Sequence, residues 1–228
     1  MLKRFEDLPS FLQTEAVRPY YEYLAKKRGQ LLAKRFLDIL LALLLILLLS
    51  PLLILSALAV KCSSRGPIFY LQERVTQYGR HFRIYKFRTM VPDAQALGGA
   101  VTVENDPRVT RVGYWLRRFR LDEFPQFFNI LKGDMTFVGT RPEVPEFVDA
   151  YDDEMRATLL LPAGSVSTAS VAYKKESDLL QGVSDPHQFY IEEILPEKMA
   201  LNLSDLRQFS LAHELKILLQ SLASVVDL

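Results

Sequence analysis

The sequence predicts an α+β fold that is mostly helical, with a small β-hairpin and a hydrophobic segment that enters a membrane. Three observations predict it. Residues 39–60 carry no charge and are dominated by leucine. Residues 66–90 hold two weakly alternating runs with turn residues between them. Most of the remaining chain spaces its apolar residues as helices do, so no long doubly wound sheet is expected.

Composition narrows the function classes. The chain has 228 residues, enough for one ordinary domain plus an anchoring segment. Hydrophobic residues make up 49%, an ordinary globular share that is concentrated in the leucine block. A net charge of +1 supplies no global field towards nucleic acid, and no nucleic-acid partner is expected. Cys62 is the single cysteine, which excludes an intrachain disulfide. His81, His187 and His213 are far apart and form no zinc pattern.

As a straight helix the leucine block would cover roughly 33 Å, about one bilayer core, which suits a single span. Two features suit a re-entrant hairpin instead. Ser50-Pro51 sits mid-block, where proline removes a backbone hydrogen bond and serine can satisfy a freed carbonyl. Each arm would then be roughly 15 Å long, half the hydrocarbon depth. Basic residues also flank both ends: Lys26, Lys27, Arg28, Lys34 and Arg35 before the block, Lys61 and Arg65 after it. A span would put one cluster outside, against the preference of basic residues for the cytoplasmic side, whereas a hairpin keeps both inside. The residues favour a helix-break-helix hairpin and leave the span open.

The chain is expected to divide into an N-terminal interfacial segment (1–33), a membrane hairpin (34–62) and a C-terminal membrane-associated domain (63–228). Residues 9–28 mix Phe11, Leu12, Tyr20, Tyr21, Tyr23 and Leu24 with a basic end, as an interfacial amphipathic helix would. Pro67-Ile68-Phe69-Tyr70 and Phe82-Arg83-Ile84-Tyr85-Lys86-Phe87, joined by a turn at Gln77-Tyr78-Gly79-Arg80, predict the β-hairpin. Residues 91–110, with Gly98, Gly99 and Pro107, predict a helix start followed by loop. Helices are predicted over Val112–Arg120, over Phe124–Leu131 with a stop at Gly133, and over Glu146–Leu161; Met135–Val138 is a short strand. Near the C-terminus Phe209, Ala212, Leu215, Leu218, Leu219, Leu222 and Val226 form a helical stripe that suits lipid or core equally.

Three segments carry candidate chemistry. In Arg117-Arg118-Phe119-Arg120-Leu121-Asp122-Glu123-Phe124-Pro125-Gln126, arginines precede two adjacent carboxylates. Arginine binds two phosphate oxygens at once, and a carboxylate serves phosphoryl chemistry as nucleophile or as magnesium ligand. An isolated motif of this kind is more often a salt-bridged loop. In Gly139-Thr140-Arg141-Pro142-Glu143 the proline fixes the chain directly after Arg141, which aims its guanidinium at a phosphate or leaves it solvated on a turn. In Tyr85-Lys86-Phe87-Arg88-Thr89-Met90, alternation puts Lys86 and Arg88 on one face, either an anion-binding face or a charged edge.

Together with the membrane block, these segments resemble the bacterial sugar transferases, the monotopic phosphoglycosyl transferases. The resemblance runs from about Lys34 to about Leu219. It rests on Lys34-Arg35-Phe36-Leu37-Asp38, Ser50-Pro51, Gly66-Pro67-Ile68-Phe69-Tyr70, Gln72-Glu73-Arg74, Lys86-Phe87-Arg88-Thr89-Met90, Asn105-Asp106-Pro107-Arg108, Leu121-Asp122-Glu123-Phe124-Pro125-Gln126 and Lys132-Gly133-Asp134-Met135.

That resemblance implies transfer of sugar 1-phosphate from a UDP-sugar to undecaprenyl phosphate at the cytoplasmic leaflet of the bacterial inner membrane. Asp122 and Glu123 are the implied catalytic pair, with Asp122 as covalent nucleophile and both as Mg²⁺ ligands. Lys86, Arg88, Arg117, Arg120 and Arg141 are the implied substrate-binding cations, and Ser50-Pro51 is the hairpin break. The implied partners are membrane lipids, a second copy in a homodimer, and downstream glycosyltransferases. Two departures stand out: Thr140 replaces the first proline of a Pro-Arg-Pro motif, and Pro162-Ala163-Gly164-Ser165-Val166-Ser167-Thr168 replaces a Pro-Gly-Ile-Thr-Gly-like stretch. The competing readings are a silent membrane scaffold that recruits glycosyltransferases and a single-span anchor on a binding domain.

Overall fold

The fold is taken from a computed structural model that describes residues 2–92, 94, 106–180 and 182–226, apart from the side chains of Ser177, Val225 and Val226. Gly98, Gly99 and Asn105 lie outside the described residues. The chain is mostly helical with little sheet, as its patterning predicts.

After two short 3₁₀ turns comes α1 (Arg18–Ala25), then the long helix α2 (Arg28–Ser63). α2 continues through Pro51, so the two expected arms form one helical element; Pro51 lacks the N–H that would bond the Leu47 carbonyl, and Ser50 Oγ donates to that carbonyl at 2.8 Å instead. It is long and apolar enough to cross a membrane by length and composition. Its exposed surface includes Leu43, Leu44, Leu47, Leu48, Leu52, Ile54, Leu55 and Leu58.

Both ends of α2 are packed. Near the start, buried Asp38 accepts hydrogen bonds from Thr136 Oγ1 (2.5 Å) and the Phe137 amide (3.3 Å). Lys34 Nζ reaches Glu214 Oε2 at 2.6 Å and the Val138 carbonyl at 3.0 Å. Arg35 donates to the carbonyls of Ile130 and Leu131. Near the end, Val60 packs with Phe87 and Leu116.

The hairpin forms as the alternation predicts. Strands β1 (Phe69–Thr76) and β2 (Arg80–Phe87) pair antiparallel with Tyr70 opposite Lys86. The turn places Tyr78 at φ 63° and Gly79 at φ 74°. Helix α3 (Arg111–Arg118) starts at Thr110, whose hydroxyl accepts from the Gly113 amide. Helix α4 (Gln126–Lys132) ends at Gly133, φ 85°, the predicted stop.

Strand β3 (Met135–Val138) pairs in parallel with β4 (Ala163–Val166), a strand the sequence did not announce. The approach is close: a Cβ on Gly164 would lie 2.1 Å from the Gly139 carbonyl oxygen. Glycine at 164 therefore has a packing reason, and the divergent 162–168 stretch becomes a strand edge.

The predicted helix over 146–161 is broken. Only α5 (Pro145–Asp149) and a 3₁₀ turn (Met155–Leu160) form. Tyr151 is buried at the break, and the Asp152 carboxylate accepts from the Met155 amide, a local bond that competes with a continuous helix. The chain then runs through α6 (Thr168–Ala172), α7 (Glu176–Leu179), α8 (Pro186–Phe189), a π-helical turn (Tyr190–Ile194), α9 (Leu195–Arg207) and α10 (Leu211–Val226).

The structure corrects the expectation for residues 9–28. Leu12, Val17, Tyr20, Tyr21 and Leu24 are buried in one core cluster with Leu160, Leu195 and Met199. Each such side chain gains roughly 1.5–3 kcal/mol by leaving water, and the core supplies that burial without lipid. The C-terminal stripe divides: Leu218 packs against the core beside Ile217, while Leu215, Leu219 and Leu222 stay exposed.

Candidate active site

The two carboxylates sit on a 3₁₀ turn (Leu121–Glu123) between α3 and α4. Arg120 enters this turn in the left-handed region, φ 56°, rare for a residue with a side chain. The chain thereby breaks from α3 and carries Asp122 and Glu123 on the short turn that leads into α4.

Glu123 is the better-held of the two. Its Oε1 accepts from Lys86 Nζ at 3.1 Å and from the Arg141 guanidinium. Burial opposes the charge on Glu123, but Arg141 and Lys86 outweigh it and hold the carboxyl well below the usual range. Asp122 moves the other way: burial raises its pKa and Glu123 adds to the rise, while Lys86 and Arg117 restrain it. Burial pulls the Lys86 ammonium down, against the field of Glu123. The neighbouring acids therefore differ in character, one a locked anion and the other an anion held at a cost.

The remaining predicted cations take different posts. Arg141 NH1 also donates to the Ser165 carbonyl at 3.4 Å, so β4 braces it. Arg117 Nε donates to Thr89 Oγ1 at 2.8 Å, with its charge bearing on Asp122. Arg120 shapes the turn and its charge bears on Glu123. Arg88 stands apart. β2 ends at Phe87, and the buried Arg88 guanidinium donates to the carbonyls of Arg65 (2.9 Å), Ser64 (2.8 Å) and Val60 (3.4 Å). Carbonyls at a helix C-terminus lack intrahelical partners, and Arg88 satisfies them for α2. The predicted face shared by Lys86 and Arg88 thus sends one cation to the carboxylates and the other to the C-terminal end of α2.

Sequence reasoning missed Arg74 as a site neighbour. Arg74 NH1 donates to the Pro142 carbonyl at 3.0 Å and lies 3.9 Å from Glu143 Oε2. The hairpin register held the signal: with Tyr70 opposite Lys86, alternation puts Arg74 on the face of β1 that Tyr70 shares.

Residues 29–227 match the family model described as bacterial sugar transferase. The chain belongs to that family. Among curated relatives of this family, a UDP-N-acetylgalactosamine-undecaprenyl-phosphate N-acetylgalactosaminephosphotransferase of Aeromonas hydrophila is 49% identical over 54% of this chain and 29% of its own length. An undecaprenyl-phosphate glucose phosphotransferase of Komagataeibacter xylinus is 48% identical over 51% of this chain and 22% of its own. A UDP-glucose:undecaprenyl-phosphate glucose-1-phosphate transferase of Caulobacter vibrioides is 35% identical over 86% of this chain and 70% of its own. The chain thus spans less than a third of the first two relatives.

Proposed function

We propose that this chain transfers a sugar 1-phosphate from a UDP-sugar to undecaprenyl phosphate and releases UMP. The observation that carries the reading is the carboxylate pair, in which Glu123 is clamped by Lys86 and Arg141 while Asp122 stands beside it under the charge of Arg117. Family membership and the relatives' names support the reaction class. Those names differ in the sugar, so the sugar is left to experiment.

In the first step an Asp122 carboxylate oxygen attacks the β-phosphorus of the UDP-sugar. The bond from that phosphorus to the bridging oxygen breaks, UMP leaves with the electron pair, and a phosphosugar remains on the aspartate. In the second step an oxygen of undecaprenyl phosphate attacks the same phosphorus and Asp122 departs as a carboxylate. Arg141 and Lys86 hold Glu123 ionised and supply positive charge where the pyrophosphate sits. Lys86 and Arg117 oppose the pull of burial on Asp122.

The donor set also fits Mg²⁺. This ion takes one or two carboxylates together with substrate phosphates, and Asp122 with Glu123 offers such a pair; no group of three acidic, histidine or cysteine ligands exists among the described residues. Bound there, Mg²⁺ would neutralise charge on the pyrophosphate.

We place α2 in the cytoplasmic leaflet of the inner membrane as a re-entrant element. Ala42 and Ser56 are both buried. The 14 residues from one to the other cover roughly 21 Å along a straight helix, short of a ~30 Å hydrocarbon core. A helix gripped at both of those points fits a shallow dip bent at Pro51 better than a crossing.

The full chain, purified in nanodiscs and given Mg²⁺, undecaprenyl phosphate and a panel of UDP-sugars, is expected to release UMP. With UDP-sugar alone, intact mass should increase by one phosphosugar. No UMP from any donor would overturn the reading in favour of a silent scaffold.

A further inference from the structure

Glu143 lies two residues beyond Arg141, and the steps above give it no task. It is only 7% exposed. Its Oε1 accepts from the Tyr190 hydroxyl at 2.7 Å and from Lys198 Nζ at 3.3 Å. The Lys198 ammonium, also buried, donates to Glu176 Oε2 at 2.7 Å and to the Tyr190 hydroxyl at 2.7 Å. The π-helical turn and α9 bring Tyr190 and Lys198 together, and the ammonium lies 4.9 Å from the Tyr190 ring centre. A buried ion network of this kind is a poor source of stability, because desolvating the charges offsets their attraction. Its geometric consequence is more informative.

Arg141 lies in the field of three carboxylates: Glu123, Glu143 and Glu176. The proposed chemistry needs the guanidinium at Glu123. Left uncompensated, Glu143 and Glu176, whose charges also bear on Arg141, would compete for it. Lys198 pairs with both competitors at once. Arg74, through the Pro142 carbonyl, fixes the residue between Arg141 and Glu143. Thr140 stands where the resembling family has a proline, so polar contacts here do the mounting that a second proline ring would do.

We propose that Lys198 is a positioning residue for donor binding: by pairing with Glu143 and Glu176 it leaves the Arg141 guanidinium committed to Glu123 and the donor's pyrophosphate. The inference rests on the UDP-sugar reading above.

The test uses the full chain in nanodiscs, with UMP release measured while UDP-sugar and undecaprenyl phosphate are varied separately. In a two-step exchange, kcat/KM for each substrate reports its own half-reaction. Lys198→Met is expected to lower kcat/KM for the UDP-sugar about tenfold or more and to leave that for undecaprenyl phosphate within about twofold. Lys198→Arg, and the triple variant Glu143→Gln/Glu176→Gln/Lys198→Met, are expected to recover the donor value to within about threefold. A Lys198→Met protein that melts lower with both kcat/KM values unchanged overturns the proposal, as does a triple variant that fails to recover. If Lys198→Met does not fold, the triple variant decides: wild-type donor kinetics support the proposal and a tenfold loss overturns it. Wild-type protein that releases no UMP overturns the parent reading. Wild-type turnover with an unaffected Lys198→Met overturns this inference alone.

Discussion

Lys86 Nζ stands 3.1 Å from Glu123 Oε1, the same oxygen that the Arg141 guanidinium holds. One residue from β2 and one from the segment after β3 thus converge on a single carboxylate atom. Glu123→Gln removes the charge and keeps the shape. Turnover is expected to fall by about 10²-fold or more, with no loss of UDP binding, because two cations are released towards the pyrophosphate. Steady-state UMP release together with UDP titration checks this. Parallel loss of binding would mean that Glu123 serves only to mount Arg141.

Asp122 should carry a stability cost. Its folded pKa is raised, so the fold favours the protonated acid. That contribution is present below the ordinary carboxylate value and is lost as pH rises through the raised one. At neutral pH, without magnesium, Asp122→Asn is therefore expected to melt higher than wild type while showing no transfer and no mass adduct. The gain in melting temperature should shrink as the pH is lowered into the carboxylate range. Equal or lower melting at neutral pH would contradict the assignment of burial as the dominant influence on Asp122.

Arg88 is expected to behave as a structural cap. Arg88→Met leaves the carbonyls of Val60, Ser64 and Arg65 without their donor. A loss of about 2–4 kcal/mol is expected, with kcat/KM of the folded fraction within about threefold of wild type. Denaturant melts alongside kinetics separate the outcomes, and a selective rise in donor KM would return Arg88 to the substrate site.

The topology of α2 is testable with a natural probe. Cys62 is exposed near its C-terminal end. A membrane-impermeant maleimide is expected to label Cys62 from the cytoplasmic side only. A Lys26→Cys probe on a Cys62→Ser background should show the same sidedness. Opposite sidedness would mean that α2 crosses the bilayer and would remove the re-entrant reading.

Gly164→Ala should couple packing to the site. The added Cβ meets the Gly139 backbone, and Ser165, which braces Arg141, follows directly. Destabilisation of about 2 kcal/mol or more is expected, together with weaker UDP binding in the protein that folds. Unchanged stability would mean that β3 and β4 separate easily.

The sequence by itself determined what is local. The leucine block, the 69–87 hairpin, the Gly133 stop and the adjacent Asp122-Glu123 pair are set by spacing, turn chemistry and proximity along the chain, and all are legible without a partner. It did not reveal that residues 12–24 enter the core, because an amphipathic pattern shows that a face is buried and is silent on whether lipid or protein buries it. The diverging tasks of Lys86 and Arg88 were hidden for a similar reason: two cations on one strand read alike until their acceptors, Glu123 and the end of α2, are brought to them. Only the tertiary structure joined Arg141 to Glu123, and Glu143 to Lys198 across 55 residues. Ion pairs are chosen by distance in space, and linear order carries no record of that distance.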